Sequence, residues 1–235
     1  MAKHNVWMSV SDMMTGLMVI FLFVAVAYMI QVEKNQSVLS EYVENRKNLH
    51  DELVKEFAGD TARWVASMGT DLSMKFKNPE VLFASGSFEI TDSFKRILDD
   101  FIPRYLGILL SGKFKDRIKE IRIEGHTDDE PAPRYHPNPF IANTMLSQLR
   151  AVSVLHYLRS MPSYQAYKDE EKEMLEYLFT ANGLSYGKAV DDNDEYVYIS
   201  KKSINRAKSR RVEFRVITTG EEAIDEFLKI KDNAK

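Results

Sequence analysis

The chain of 235 residues contains no cysteine, which excludes disulfides, thiolate metal centres and cysteine nucleophiles. It also lacks a basic excess. Its 32 Lys and Arg against 35 Asp and Glu give a net charge of −3, so no direct nucleic-acid partner is expected. Glycine (10) and proline (7) are scarce, and neither interrupts Gln31 to Phe57. Long uncharged runs are lacking as well, with one exception: the eighteen residues from Met13 to Ile30. The remainder is long enough for one core of ordinary size.

At about 1.5 Å of rise per residue the run covers about 27 Å, close to the apolar thickness of a bilayer, and Trp7 to Ser11 extend it. Trp7 then lies near one interface and Tyr28 near the other. Asp12 stands at the mouth of the run, where a charged aspartate costs about 2.5–3.5 kcal/mol unless protonation, a partner or water relieves it. Ser9, Thr15 and Gly16 share its helical face, a stripe suited to close packing or an ion path. The residues leave a second reading open, in which Asp12 is only the N-cap of a helix beginning at Met13. The length of the run, Asp12 and the lack of an A-x-A site after Ile30 favour an uncleaved anchor over a signal peptide. Lys3 favours a cytoplasmic N-terminus, with the rest periplasmic in a bacterium.

Gln31 to Phe57 places Leu39, Tyr42, Val43, Leu49, Leu53 and Phe57 at three- or four-residue steps. This predicts a helix that either pairs with a second copy as a parallel coiled coil, despite Arg46, or packs on its own domain. Gly59-Asp60 reads as a hinge or cap. Beyond Arg63 the periodicity predicts strands over 71–76, 81–83, 120–124, 196–199 and 212–217, and helices over 92–110, 141–159 and 168–182. The fold class is α/β: an N-terminal transmembrane helix (1–30 with a short tail), a helical linker (31–62), a two-layer α/β sandwich (63–220) and a C-terminal tail (221–235).

Four stretches then carry a resemblance: Val81-Leu82-Phe83-Ala84-Ser85-Gly86-Ser87; Ile123-Glu124-Gly125-His126-Thr127-Asp128; Asn143 with Leu146-Ser147 and Arg150-Ala151; and Asn205 with Arg210-Arg211-Val212-Glu213-Phe214. In order, they resemble the motifs of OmpA-like peptidoglycan-binding domains. Trp7, Asp12, Met14, Thr15 and the apolar residues beyond resemble the membrane segment of MotB, the ion-channel subunit of the flagellar stator. The Asp-x-Met-Thr-Gly-Leu-Met sequence, the short tail and the enlarged loop at 129–139 resemble the ZorB family, the stator-like subunits of Zorya anti-phage defence.

The resemblance implies that Asp12, with Thr15, carries a translocated ion, proton or sodium, beside a ring of MotA-like (ZorA-type) partner subunits. It implies a homodimer, no bound cofactor, no catalysis and attachment to peptidoglycan. Asp128 would take the ammonium and Arg150 the carboxylate of diaminopimelate in the wall peptide, with Asn143, Leu146 and Arg211 completing the site. Arginine suits this task because its planar fork binds a carboxylate through two hydrogen bonds. The residues by themselves also allow an internal Asp128–Arg150 salt bridge. The proline-rich loop Asp129 to Pro139 departs from the family, so its contacts do not transfer. A flagellar stator subunit and a passive tether of envelope to wall are the alternative functions.

Other patterns lead elsewhere. Gly183-Leu184-Ser185-Tyr186-Gly187 matches a nucleophile elbow, but the predicted context is the turn after a helix. His126, Asp128, Asp129 and His136 have no recognised metal-ligand spacing. The basic run from Lys201 to Arg211 reads as a solvated face that also suits an anionic wall.

Overall fold

The computed structural model describes the backbone of residues 3–84 and 86–220 and their side chains apart from 3–9, 34–36 and 38. The side chains of Trp7 and Ser9, all of Ser85 and the expected tail at 221–235 lie outside the described residues. The chain divides into two compact units, the first containing the N-terminal stretch up to Glu44 and the second spanning Asn45–Glu221.

Helix α1 (Lys3–Phe57) runs for 55 residues. Its segment Val10–Glu33, 24 residues of mean hydropathy 2.4, is long and apolar enough to cross a membrane, and none of it is buried within the protein. Met18 and Phe23 are 74% and 68% exposed. A helix apolar on all sides needs apolar surroundings. Because α1 begins at Lys3, Asp12 lies more than two turns inside it, and the capping reading falls away.

The last turns of α1 belong to the second unit. Leu49, Leu53 and Phe57 are buried in its core, so these three face their own domain rather than a second copy. Phe57 packs 5.1 Å from Phe101. Arg104 clamps the junction, donating to Glu56 at 2.7 Å, Asp60 at 2.8 Å and Asp100 at 3.1 Å.

After a short helix α2 (Thr61–Trp64), the second unit builds one sheet from β1 (Ala66–Met68), β2 (Ser73–Phe76), β3 (Ile118–His126), β4 (Phe179–Gly183) and β5 (Arg211–Thr218). The strand order is β1-β2-β5-β3-β4, antiparallel throughout except for the parallel pair β3–β4. Alternation sends Met74, Phe76, Ile121, Ile123, Val212, Phe214 and Val216 to one face. Helix α4 (Asp92–Leu109), which follows α3 (Pro79–Leu82), covers that face, with Phe101 stacked on Tyr105 at 4.7 Å and edge-on to Phe214 at 5.1 Å. Helix α5 (Pro139–Ser160) lays Ala151, Val154 and Leu158 against the same core. Short helices α6 (Pro162–Gln165), α8 (Val197–Ser200) and α9 (Arg206–Ser209), with α7 (Asp169–Leu178), complete the expected two-layer α/β sandwich.

Three local expectations are corrected. Residues 81–83 do not form a strand: Pro79, with its fixed φ, opens α3 instead. Residues 196–199 turn into α8 rather than extend. The helix expected over 168–182 stops at Leu178, and 179–183 becomes β4, because parallel pairing with Ile121–Gly125 overrides helical propensity there.

Glycine sets the approach of α5 to the sheet. A Cβ on Gly125 would stand 2.2 Å from the Ser147 carbonyl oxygen, which is backbone and cannot yield. Gly125→Ala is expected to cost about 1–3 kcal/mol, measured by urea unfolding.

Candidate functional sites

The first site is Asp12. It is exposed on the apolar segment and has no ion-pair partner among the described residues. One turn on, Thr15 Oγ1 donates to the Ser11 carbonyl at 2.9 Å, satisfying its hydroxyl within the helix. Of the polar stripe expected around Asp12, Thr15 and Gly16 are exposed, on a surface that nothing else among the described residues covers.

The second site lies where β3 ends. Asn138 caps α5, its Oδ1 accepting from Phe140 N at 3.0 Å and Ile141 N at 3.2 Å, with Pro139 at the first helical position. The cap aims Asn143, Leu146 and Arg150, spaced along one helix face, at a cavity of about 650 Å³ that Asp128 also lines. Asn143 Nδ2 donates to the Glu130 carbonyl at 2.8 Å, tying the loop after Asp128 to α5.

Arg150 is only 8% exposed. Its Nε donates to the Ser87 carbonyl at 2.9 Å and its guanidinium lies 4.9 Å over the Phe83 ring. No carboxylate among the described residues pairs with it, and burial brings its pKa down to about 10. Asp128, 4% exposed, instead accepts from Arg210 Nη1 at 2.6 Å through Oδ2 and from Glu130 N at 3.1 Å through Oδ1. The internal Asp128–Arg150 bridge therefore does not form. A buried cation with no direct ion pair is costly, and Asp128 acts on Arg150 only from beyond contact distance.

Arg211 does not reach this cavity. Residues 211, 213 and 215 share the sheet face away from α4 and α5, while Arg210 falls on the helix side and lines the cavity. The apolar alternation Val212, Phe214, Val216 carries that parity. Arg211 Nε donates to Glu213 Oε1 at 2.6 Å, and its other nitrogens reach the Ser209 and Lys188 carbonyls.

On that far face Glu124, His126 and Glu213 are buried with ligand-capable atoms within 4.8 Å of one another. Arg215 lies 3.1 Å from Asp71 Oδ2, 3.3 Å from Glu213 Oε2 and 3.6 Å from Glu124 Oε2, and Arg211 pairs with Glu213, so three carboxylates meet two guanidiniums. Burial lowers the His126 pKa and favours its neutral form. Both guanidiniums hold carboxylates of this cluster, which accounts for its burial as an ion-pair network. Burial would raise the Glu213 carboxyl, but His126, Arg211 and Lys75 outweigh it and hold it at about 2. Its contribution to stability is thus complete above the ordinary value of 4.5 and fades as pH falls towards 2. Glu213→Gln is expected to cost about 3–5 kcal/mol at pH 7 and to flatten this acid limb, read by urea unfolding from pH 7 down to 2.

Ser185 does follow a strand, β4, and has a positive φ of 53°. Yet it is 1% exposed, and its hydroxyl donates to the Phe140 carbonyl at 3.2 Å, so it is a structural corner and not a nucleophile.

Comparison with known proteins places this architecture. The chain is 36% identical over 229 residues to the Zorya protein ZorB of Escherichia coli, a match that covers 95% of this chain and 92% of that protein. The chain belongs to the ZorB family. No family model matches it. Among solved structures, a MotB like protein from Desulfovibrio vulgaris is 22% identical with a TM-score of 0.49, covering 77% of this chain and 99% of its own. The cell wall anchor of the T6SS from Pseudomonas aeruginosa is 23% identical with a TM-score of 0.44, covering 71% and 96%. This ZorB-family chain thus combines one apolar helix bearing Asp12 with an α/β domain whose cavity holds Asp128, Asn143, Leu146, Arg150 and Arg210.

Proposed function

We propose that this chain is a single-pass inner-membrane, stator-like subunit that couples ion flow at Asp12 to rotation of MotA-like partner subunits in anti-phage defence. It works as a homodimer held to peptidoglycan by its periplasmic domain. The observation that carries the reading is Asp12 inside a continuous helix at the edge of its apolar segment, where a cap has no use for it and a tether would need no carboxylate at all. Loading and unloading of a proton or sodium ion at Asp12 changes its charge. A potential of 100 mV supplies about 2.3 kcal/mol per charge to bias the helix contacts that follow.

The cavity serves the other requirement, a fixed point. Diaminopimelate carries a carboxylate for Arg150 and an ammonium for Asp128, where it displaces or shares the hold of Arg210. The Thr15 side chain flanks the ion position at one helical turn from Asp12. The reading is tested in cells carrying the whole defence system, by plating phage on wild type and on carboxylate-free variants at Asp12, and in vitro by co-sedimenting the full-length protein with purified sacculi. A protein that neither protects through Asp12 nor binds sacculi overturns it.

A further inference from the structure

The cavity beside α5 holds more charge than a lone diaminopimelate centre uses. Its charged lining is Glu80, Asp128, Glu130, Arg134, Arg150 and Arg210. Asp128 is committed to Arg210, and Glu130 to Arg206 at 3.4 Å with Arg210 at 3.9 Å. Arg134 and Arg150 pair with no carboxylate among the described residues, and Glu80 with no cation. With Asp128 left for the ligand ammonium as above, two guanidiniums that form no ion pair among the described residues line the cavity, where a lone diaminopimelate centre uses one.

Arg134 sits on the proline-rich loop at 129–139, which is tied down on both sides of it. Pro131 and Pro133 restrict the backbone before it. Tyr135 N donates to the Ala132 carbonyl at 3.0 Å, and Tyr135 Oη donates across the cavity to the Gly86 carbonyl at 3.2 Å. Beyond it, Asn138 N donates to His136 Nδ1 at 3.0 Å before Asn138 caps α5. The strap is fixed at both ends, with the Arg134 guanidinium 6.0 Å from the Tyr135 ring. Tyr135 and Arg150 line the same cavity as Arg134. A cation on a preformed strap loses less freedom on binding than one on an open loop.

We propose that Arg134 forms a second carboxylate subsite, which takes the α-carboxylate of the γ-linked D-glutamate preceding diaminopimelate in the wall peptide. It rests on the peptidoglycan reading above and deepens it from one residue to a dipeptide with two carboxylates and an ammonium. The ligand class is then a wall peptide whose glutamate is unmodified. Amidation of that glutamate to isoglutamine removes the charge Arg134 recognises and leaves the diaminopimelate end intact.

The test is a double-mutant cycle by calorimetry on the full-length protein in detergent micelles. Its probes are synthetic N-acetyl-L-alanyl-γ-D-glutamyl-meso-diaminopimelyl-D-alanine amide, which carries two carboxylates and one ammonium, and the same peptide with the glutamate α-carboxylate amidated. Wild type is expected to prefer the free acid by about five-fold, between the strength of an exposed ion pair and that of a charged hydrogen bond. Arg134→Gln, a substitution at an exposed position, is expected to erase the preference while binding the amidated peptide as wild type does. Equal affinity of wild type for the two peptides, or an undiminished preference in Arg134→Gln, overturns the inference and leaves the wall reading standing. Failure of wild type to bind either peptide overturns both.

Discussion

Asp12→Asn is expected to abolish protection against phage while leaving the protein in the membrane and bound to its partners. Asparagine has nearly the volume of aspartate and hydrogen-bonds in similar ways, so packing along α1 around Thr15 and Gly16 survives. What it loses is the change of charge. A group that is always neutral cannot be loaded and unloaded by an ion, so the work of about 2.3 kcal/mol per charge at 100 mV has nothing to act on. A neutral amide at this position sits in a bilayer more cheaply than a charged aspartate, so stability and insertion should hold or rise. The measurement is efficiency of plating, expected to match a strain without the system, beside immunoblots of the membrane fraction and co-purification of the partner. Undiminished protection by Asp12→Asn would falsify the channel role. Asp12→Glu keeps the chemistry with one more methylene, and retention of part of the activity there would locate the requirement in the carboxylate.

Arg150→Ala is expected to lower binding to purified sacculi by about a hundred-fold or more, the scale of a charged hydrogen-bonded pair in a desolvated site. It is also expected to leave stability within about 1 kcal/mol of wild type. The two halves together are diagnostic. Breaking a structural ion pair strands the partner charge and destabilises the fold, as expected for Glu213. Arg150 strands nothing, because no described acid pairs with it; its loss removes one bond to the Ser87 carbonyl and the contact with Phe83, and relieves a buried charge. Arg150→Lys tests the geometry, since an ammonium retains the charge but lacks the fork. Binding that persists in Arg150→Ala, or a collapse of its unfolding midpoint, would assign Arg150 to the scaffold.

The membrane segment, the amphipathic α4, strands β3 and β5 and the order of the four motifs were all legible in the chain. Each is a local pattern: a run without charge, a helical stripe or an alternation. The cavity residues Asp128, Asn143, Leu146 and Arg150 were singled out by the resemblance to a family, and the structure brings them together because three share one helix face and the fourth follows a strand. The short helices α3 and α8 and the strand β4 were not legible. Segments of four or five residues carry too little periodicity to decide their own state, and β4 extends because β3 offers it a parallel edge.

By itself, then, the sequence determined that a carboxylate meets an apolar span and that an α/β domain follows it. These rest on composition and on spacing within one element; the ligand roles of Asp128 and Arg150 came only from the resemblance to a family. Only the tertiary structure decided how the charges are shared. Asp128 is taken by Arg210, 82 residues away, leaving Arg150 buried and free, while Arg211 turns to the opposite face to neutralise Glu213. Neighbours in the chain were parted by a two-residue period, and distant residues were joined by the closing of a strand over a helix. Pairings of that kind depend on strand register and burial, which no local pattern states.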